Sequence, residues 1–229
     1  MKTETLNLET SRGKTTAHVA LPETDTAAAV LLIHEWWGIN DHMRDIADRF
    51  ANEGYLCIAP DLFRGKTASN TEEASKLMNG LAIEDGVETI NEAISEAKIK
   101  YKAQKFGVIG FCMGGTFALR AACEIDDIAA AAPFYGDIPP EDVLKNLKAP
   151  TLFIAGSKDA WINAEKVNAL KSAAKKHDLP VEVMVYEADH AFFNNTRPEV
   201  YDADAAADAW RRVLDLFRKH LAVAVPTGA

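Results

Sequence analysis

Val108-Ile109-Gly110-Phe111-Cys112-Met113-Gly114-Gly115 carries an apolar segment into a cysteine bracketed by glycines, and Thr116-Phe117-Ala118-Leu119-Arg120 continues it in helix-forming residues. A strand that turns abruptly into a helix in this way lifts the side chain at the corner above the sheet, as in the G-x-S-x-G nucleophile elbow. The glycines let neighbouring backbone approach the corner where a Cβ would collide. Here the corner residue is Cys112, giving G-x-C-x-G. Alone the pattern is weak, because a buried cysteine between glycines at a strand end is the commoner arrangement. Its weight depends on what the rest of the chain places around it.

Working outward, the segments on both sides of this corner alternate between strand and helix. Upstream, residues 4–8 and 14–20 alternate polar and apolar positions around Ser11-Arg12-Gly13 and read as a β-hairpin. Ala27 to Ile33 is a continuous apolar run, the mark of a strand covered on both faces, and it ends at His34-Glu35-Trp36-Trp37-Gly38. Asn40 caps a helix expected to reach Asn52, and Tyr55–Ala59 is a second buried strand, stopped by Pro60-Asp61. Residues 71–101 read as two helical pieces separated near Gly80 to Asp85. Downstream, apolar runs at 128–136 and 151–156 and an alternating edge strand at 181–186 are separated by a helix to about Cys123 and another from Asn163 to about Lys176. A last helix is expected from Arg197 to Leu221, followed by a short tail containing Ala224-Val225-Pro226-Thr227-Gly228. This rhythm predicts one α/β domain over residues 1–229, a mostly parallel central sheet with helices on both faces.

The bulk numbers fit that reading. Of 229 residues, 48% are hydrophobic and 26% charged, as in ordinary globular chains, and no apolar run is long enough to span a membrane. The net charge of −9 excludes general nucleic-acid binding, which needs clustered Lys and Arg. Three scattered cysteines, Cys57, Cys112 and Cys123, form neither a disulfide framework nor a paired-ligand zinc site, so free thiols and no metal are expected. With no basic patch and apolar core at the start of the sequence, a cytoplasmic protein is expected, as a monomer or small homo-oligomer.

In a parallel sheet, ligands bind beyond the carboxyl ends of the strands. Four such ends carry reactive groups: Glu35 after the first buried strand, Cys112 at the corner, Asp159 after residues 151–155, and His190 after residues 181–186. Each has a bland reading. Asp159 can cap the helix near Asn163, and His190 can be a loop histidine bonded to backbone. Nucleophile, acid and histidine in that chain order, however, is the order used by Ser-Asp-His hydrolases of this topology, and the set outweighs its separate members. The other histidines, His34 among them, read as structural, with His34 near enough to shape the site.

The strings Gly110-Phe111-Cys112-Met113-Gly114-Gly115, His34-Glu35-Trp36-Trp37-Gly38, Asp159-Ala160-Trp161 and Asp189-His190-Ala191-Phe192, with Arg197-Pro198 and Tyr201-Asp202-Ala203, resemble the dienelactone hydrolase family over nearly the whole chain. The resemblance implies an α/β-hydrolase fold and hydrolysis of enol-lactones and related esters through an acyl-enzyme, without cofactor or metal. It further implies Cys112 as nucleophile, His190 as base, Asp159 as orienting acid and Glu35 as a polar group contacting the resting thiol. The backbone N–H groups of Met113 and Trp36 are the expected oxyanion donors. Trp37, Phe63, Arg64, Tyr135, Trp161, Phe192 and Arg197 are candidate pocket residues, though an aromatic on a loop is as often packing. Dienelactone-cleaving members hold a substrate carboxylate with arginines, one after the second buried strand and one a few residues past the histidine. Here no arginine occurs between Arg64 and Arg120, and the position four after His190 is Asn194. A less acidic ester or lactone is therefore expected. A carboxylesterase or thioesterase, or a redox-sensing relative that uses Cys112 without turnover, are the competing readings.

Overall fold

The computed structural model describes residues 2–222, so the tail from Ala224 to Gly228 lies outside the described residues. Eight strands form one sheet in the order β1-β2-β4-β3-β5-β6-β7-β8. The hairpin β1 (Lys2–Thr10) and β2 (Gly13–Leu21) pairs antiparallel, and β2 also runs antiparallel to β4. From there β4 (Leu56–Pro60), β3 (Ala28–Ile33), β5 (Lys105–Phe111), β6 (Ile128–Phe134), β7 (Thr151–Gly156) and β8 (Val181–Tyr186) are all parallel. The fully apolar runs are the interior strands: every residue of β4 and β7 is buried, whereas β8, at the edge, buries none completely.

The helices fall on both faces for a topological reason. The chain moves one way across the sheet from β3 to β4 and the opposite way from β4 to β5, so right-handed crossovers place their helices on opposite sides. On one face α1 (Asp41–Asn52) meets α7 (Ala203–His220), with Phe50 4.5 Å from Trp210 and 6.0 Å from Phe217 between ring centroids. On the other, α2 (Thr71–Asn79) and α3 (Ile83–Tyr101) lead to α4 (Met113–Glu124), against which α3 packs. Asn40 caps α1 by accepting from the Met43 N–H at 3.1 Å, as its sequence predicts.

Three boundaries differ from the sequence reading. Pro60 is the last residue of β4 and not its stop, because it sits opposite Ala17 of β2. A four-residue helix, α5 (Glu141–Leu144), follows Pro140 in a loop that carries too short a period to read. The last helix begins at Ala203, not Arg197. Residues 197–201 turn on the Arg197 carbonyl, the Asp202 N–H is drawn to the Phe192 carbonyl, and the Asp202 side chain then caps α7 by accepting from the Ala205 N–H at 3.0 Å. The helix from Asn163 appears as α6 (Ala164–His177), capped by Asn163 itself.

Candidate active site

The site lies where β3, β5, β7 and β8 end together. Cys112 stands between β5 and α4 with φ 55°, a left-handed conformation that a non-glycine residue adopts only under local constraint. The constraint is packing. A Cβ on Gly114 would come within 2.2 Å of the Ile33 carbonyl oxygen and 2.6 Å of that of His34, so the first turn of α4 rests directly on the end of β3. A Cβ on Gly115 would meet the Phe134 carbonyl oxygen at 2.3 Å, seating the same turn against β6. The glycines thus serve close approach, while the strained residue is the cysteine.

The thiol is buried, 6% exposed, and its pKa is pushed up to about 12, first by burial and then by the negative charge of Glu35. The Met113 backbone N–H, hydrogen-bonded to the sulfur, works in the opposite direction. Such a thiol is the reverse of a redox sensor, which is exposed and low in pKa. Glu35 is itself buried and raised to about 7 by burial, with the hydrogen bond from Asn194 and the charge of Arg197 opposing the rise.

Asp159 and His190 meet across the ends of β7 and β8. His190 Nδ1 lies 2.6 Å from Asp159 Oδ2, while Oδ1 accepts from the N–H groups of Trp161 at 2.7 Å and Ile162 at 2.9 Å. Asp159 therefore orders its own loop with one oxygen and the imidazole with the other. Burial works to raise its carboxyl, but these hydrogen bonds prevail and hold it below the ordinary range. With Nδ1–H donated to the carboxylate, Nε2 keeps its lone pair, and this atom is buried without a hydrogen-bond partner among the described residues. Trp161, 43% exposed, stacks on the imidazole at 5.7 Å, and Tyr135, buried, lies beneath it at 5.0 Å.

Not every expected residue joins this set. Arg64 is turned away: its guanidinium donates to the Gly13 and Lys14 carbonyls and to Thr10 Oγ1, which ties it to the β1–β2 hairpin. Phe192 is fully buried among Phe134, Tyr135 and Tyr186 and is core rather than wall. Phe63 is buried against the His34 ring at 4.9 Å. Trp36 and Trp37 are half-buried and meet edge to face at 5.1 Å. Arg197 is the nearby cation, but its Nε donates to Glu199 at 2.8 Å.

Two residues are more than the sequence suggests. Asn194 is buried, and its Oδ1 accepts from both the N–H and the hydroxyl of Thr196, which compels its Nδ2–H toward Glu35 Oε2 at 2.7 Å. Its sequence signal is its place four residues after His190, where dienelactone-cleaving relatives carry an arginine. His34 is completely buried and bridges two loops, and only its adjacency to Glu35 hints at that.

A mostly parallel eight-stranded sheet with a strained strand-to-helix corner at β5, an acid after β7 and a histidine after β8 defines an α/β-hydrolase. The sequence model of the dienelactone hydrolase family matches residues 15–221, and the chain belongs to that family. It is 36% identical to protein usf of Aquifex pyrophilus, over 91% of this chain and 94% of that protein. It is 34% identical to a candidate carboxymethylenebutenolidase of Aquifex aeolicus, with the same coverage. Among solved structures, a candidate dienelactone hydrolase from Klebsiella pneumoniae superposes with a TM-score of 0.88 at 26% identity, covering 96% of this chain and 99% of that one. A dienelactone hydrolase-like promiscuous phosphotriesterase from metagenomic libraries shares the fold, with a TM-score of 0.89 at 19% identity and coverage of 96% and 99%. Among the described residues no helix is long and apolar enough to cross a membrane.

Proposed function

We propose that this chain hydrolyses a small, uncharged ester or lactone through a thioester to Cys112, with His190 as base and Asp159 as its orienting partner. The observation that carries the reading is the 2.6 Å contact of His190 Nδ1 with Asp159 Oδ2, which in the neutral ring leaves the lone pair on Nε2. A catalytic base needs that lone pair, and the carboxylate on Nδ1 orients the ring and stabilises the imidazolium that forms when Nε2 takes a proton.

At rest Cys112 is a thiol, because burial and Glu35 both oppose the thiolate. When substrate enters, the sulfur proton passes to Glu35, whose affinity for it is raised to about 7. The transfer removes the charge that opposed the thiolate, so the two titrations are coupled. The Met113 N–H and the positive end of α4 then stabilise the sulfur anion. A carbon–sulfur bond forms at the acyl carbonyl, and its oxygen becomes an oxyanion held by the N–H groups of Met113 and Trp36. Losing one such donor typically costs about 3 kcal/mol of transition-state stabilisation. The tetrahedral intermediate collapses with cleavage of the ester carbon–oxygen bond, and the departing alkoxide or enolate takes up the proton held by Glu35, which returns to the carboxylate. His190 next takes a proton from water as the hydroxide adds to the thioester carbonyl; collapse breaks the carbon–sulfur bond, the acid departs, and the proton on His190 passes to the sulfur to restore the thiol.

Asn194 stands beside Glu35, Arg64 is tied to the hairpin, and Arg197 has its Nε on Glu199, so none of these positions presents an arginine held ready for a substrate carboxylate, which supports an uncharged acyl group. The test is pre-steady-state mixing with p-nitrophenyl acetate. A burst of p-nitrophenolate matching the enzyme concentration, abolished in Cys112→Ala, is expected. Turnover that survives Cys112→Ala would overturn the reading.

A further inference from the structure

His34 follows β3 and is completely buried, yet both ring nitrogens are in use. Nε2 accepts the Leu62 N–H at 3.1 Å, and since a backbone amide only donates, Nε2 must be the unprotonated nitrogen. Nδ1, 2.7 Å from the Glu35 carbonyl oxygen, must then carry the hydrogen and donate it, because a carbonyl only accepts. Burial pushes the imidazole down, toward the neutral form that this pair of partners requires. The ring is therefore locked as one tautomer between two loops, the one after β3 and the one after β4.

The carbonyl it holds belongs to the Glu35–Trp36 peptide, and the Gly38 N–H donates to the same oxygen at 3.1 Å. In a trans peptide the C=O and N–H point in opposite directions across one plane. Two donors on the Glu35 oxygen thus fix where the Trp36 N–H points, on the side away from the His34 ring. No cis peptide occurs among the described residues. Without the His34 hydrogen bond, and with the Gly38 N–H as its one remaining donor, this carbonyl is freer to swing by crankshaft motion of its flanking torsions, which turns the oxyanion donor away from its aim. Oxyanion donors work because they are aimed before charge develops.

We infer that His34 is a positioning residue for the oxyanion hole: its Nδ1–H clamps the Glu35 carbonyl and so aims the Trp36 N–H. The inference rests on the cysteine-hydrolase reading, which makes that N–H a donor to the oxyanion. His34 touches no reacting atom and acts through the peptide.

Two substitutions separate the clamp from mere loop anchoring. In His34→Asn the amide nitrogen takes the place of Nδ1 and can still donate to the Glu35 carbonyl, but nothing reaches the Leu62 N–H. In His34→Gln the amide oxygen takes the place of Nε2 and can still accept from Leu62, but the donor at Nδ1 is gone. The Gln variant should lose kcat about 10²-fold with p-nitrophenyl acetate, the loss typical of one oxyanion donor, at nearly unchanged KM. The Asn variant should keep kcat within about tenfold, even though its thermal midpoint falls further. Equal kcat losses in both, or losses that track the midpoint, would overturn the proposal. A readout independent of turnover is the ¹⁵N spectrum of the wild-type imidazole at neutral pH. A proton on Nδ1 and none on Nε2 is expected, and the Nε2–H tautomer or a charged ring would also overturn it. If Cys112→Ala retains the wild-type rate, the hydrolase reading fails and this inference falls with it. If the Cys112 dependence holds and the His34 variants lose kcat alike, only the inference fails.

Discussion

Burial raises the Glu35 carboxyl from its ordinary 4.5 to about 7, and the direction of that change sets how stability depends on pH. Between those values the unfolded chain releases a proton that the folded chain still holds. The contribution of Glu35 to stability therefore declines as pH rises through this window and is flat above it. The full difference corresponds to about 3 kcal/mol, as an upper bound. Glu35→Gln keeps an acceptor for the Asn194 amide and removes the titration. Urea unfolding should find it more stable than wild type at pH 8 by about 2 kcal/mol and equal to it at pH 4. A stability difference independent of pH would contradict the buried-carboxylate account. The same variant should lose esterase activity, since the acceptor for the sulfur proton is gone. Asp159 offers a sharper case. Two backbone N–H groups hold its Oδ1, so in Asp159→Asn the amide must keep its oxygen there and present its NH₂ to His190. That forces Nδ1 of the imidazole to accept and puts the hydrogen on Nε2, the wrong tautomer for a base. kcat should fall by about 10⁴, as when the acid of a Ser-His-Asp triad is amidated, while the thermal midpoint stays close to wild type. A loss below tenfold would argue that Asp159 serves only its loop.

Among the elements, the corner between β5 and α4 is the least tolerant of change, because Gly110, Gly114 and Gly115 are met by backbone and not by movable side chains. A methyl group on Gly114 would lie 2.2 Å from the Ile33 carbonyl oxygen, and neither chain can retreat without shifting β3 or α4. Gly114→Ala should cost about 3 kcal/mol or more in urea unfolding. Gly54→Ala is the matched control. Its φ of 89° makes a side chain unfavourable, but nothing lies within 4 Å of the added methyl, so a loss of about 1–2 kcal/mol is expected. If Gly114→Ala loses no more than Gly54→Ala, close backbone packing does not set the tolerance of the corner. The same unit shows what local pattern can reveal. Interior parallel strands are apolar on both faces and so appear as unbroken runs, which is why β3, β4, β5 and β7 were legible. The start of α7 was not, because the Asp202 N–H answers to Phe192, ten residues earlier, and no local period records that bond.

At the scale of the whole molecule, the reactive groups were legible because each follows a strand, and the parallel sheet gathers strand ends into one place. Their supports were not, since Asn194 reaches Glu35 across 159 positions and His34 reaches Leu62 across 28. The placement of Arg64 is set in the same way: its loop follows β4, but the hairpin offers it three oxygens. What remains around the thiol is Glu35, a neutral amide on that carboxylate, and Arg197 engaged with Glu199, inside a chain of net charge −9. The Glu35 carboxylate and the net charge of the chain both disfavour an anionic substrate, with Arg197 as the nearby charge that opposes them. For a matched pair of phenyl esters, one with a carboxylate on the acyl chain and one without, kcat/KM should be higher for the neutral ester by about tenfold or more at low salt. Long-range repulsion is screened once the Debye length falls to about 3–10 Å, between roughly 1 M and 0.1 M salt, so the gap should narrow as salt is raised and the neutral ester should respond little. A preference for the carboxylated ester that weakens with salt would mean that Arg197 leaves Glu199 to bind it, and Arg197→Gln would then abolish the preference.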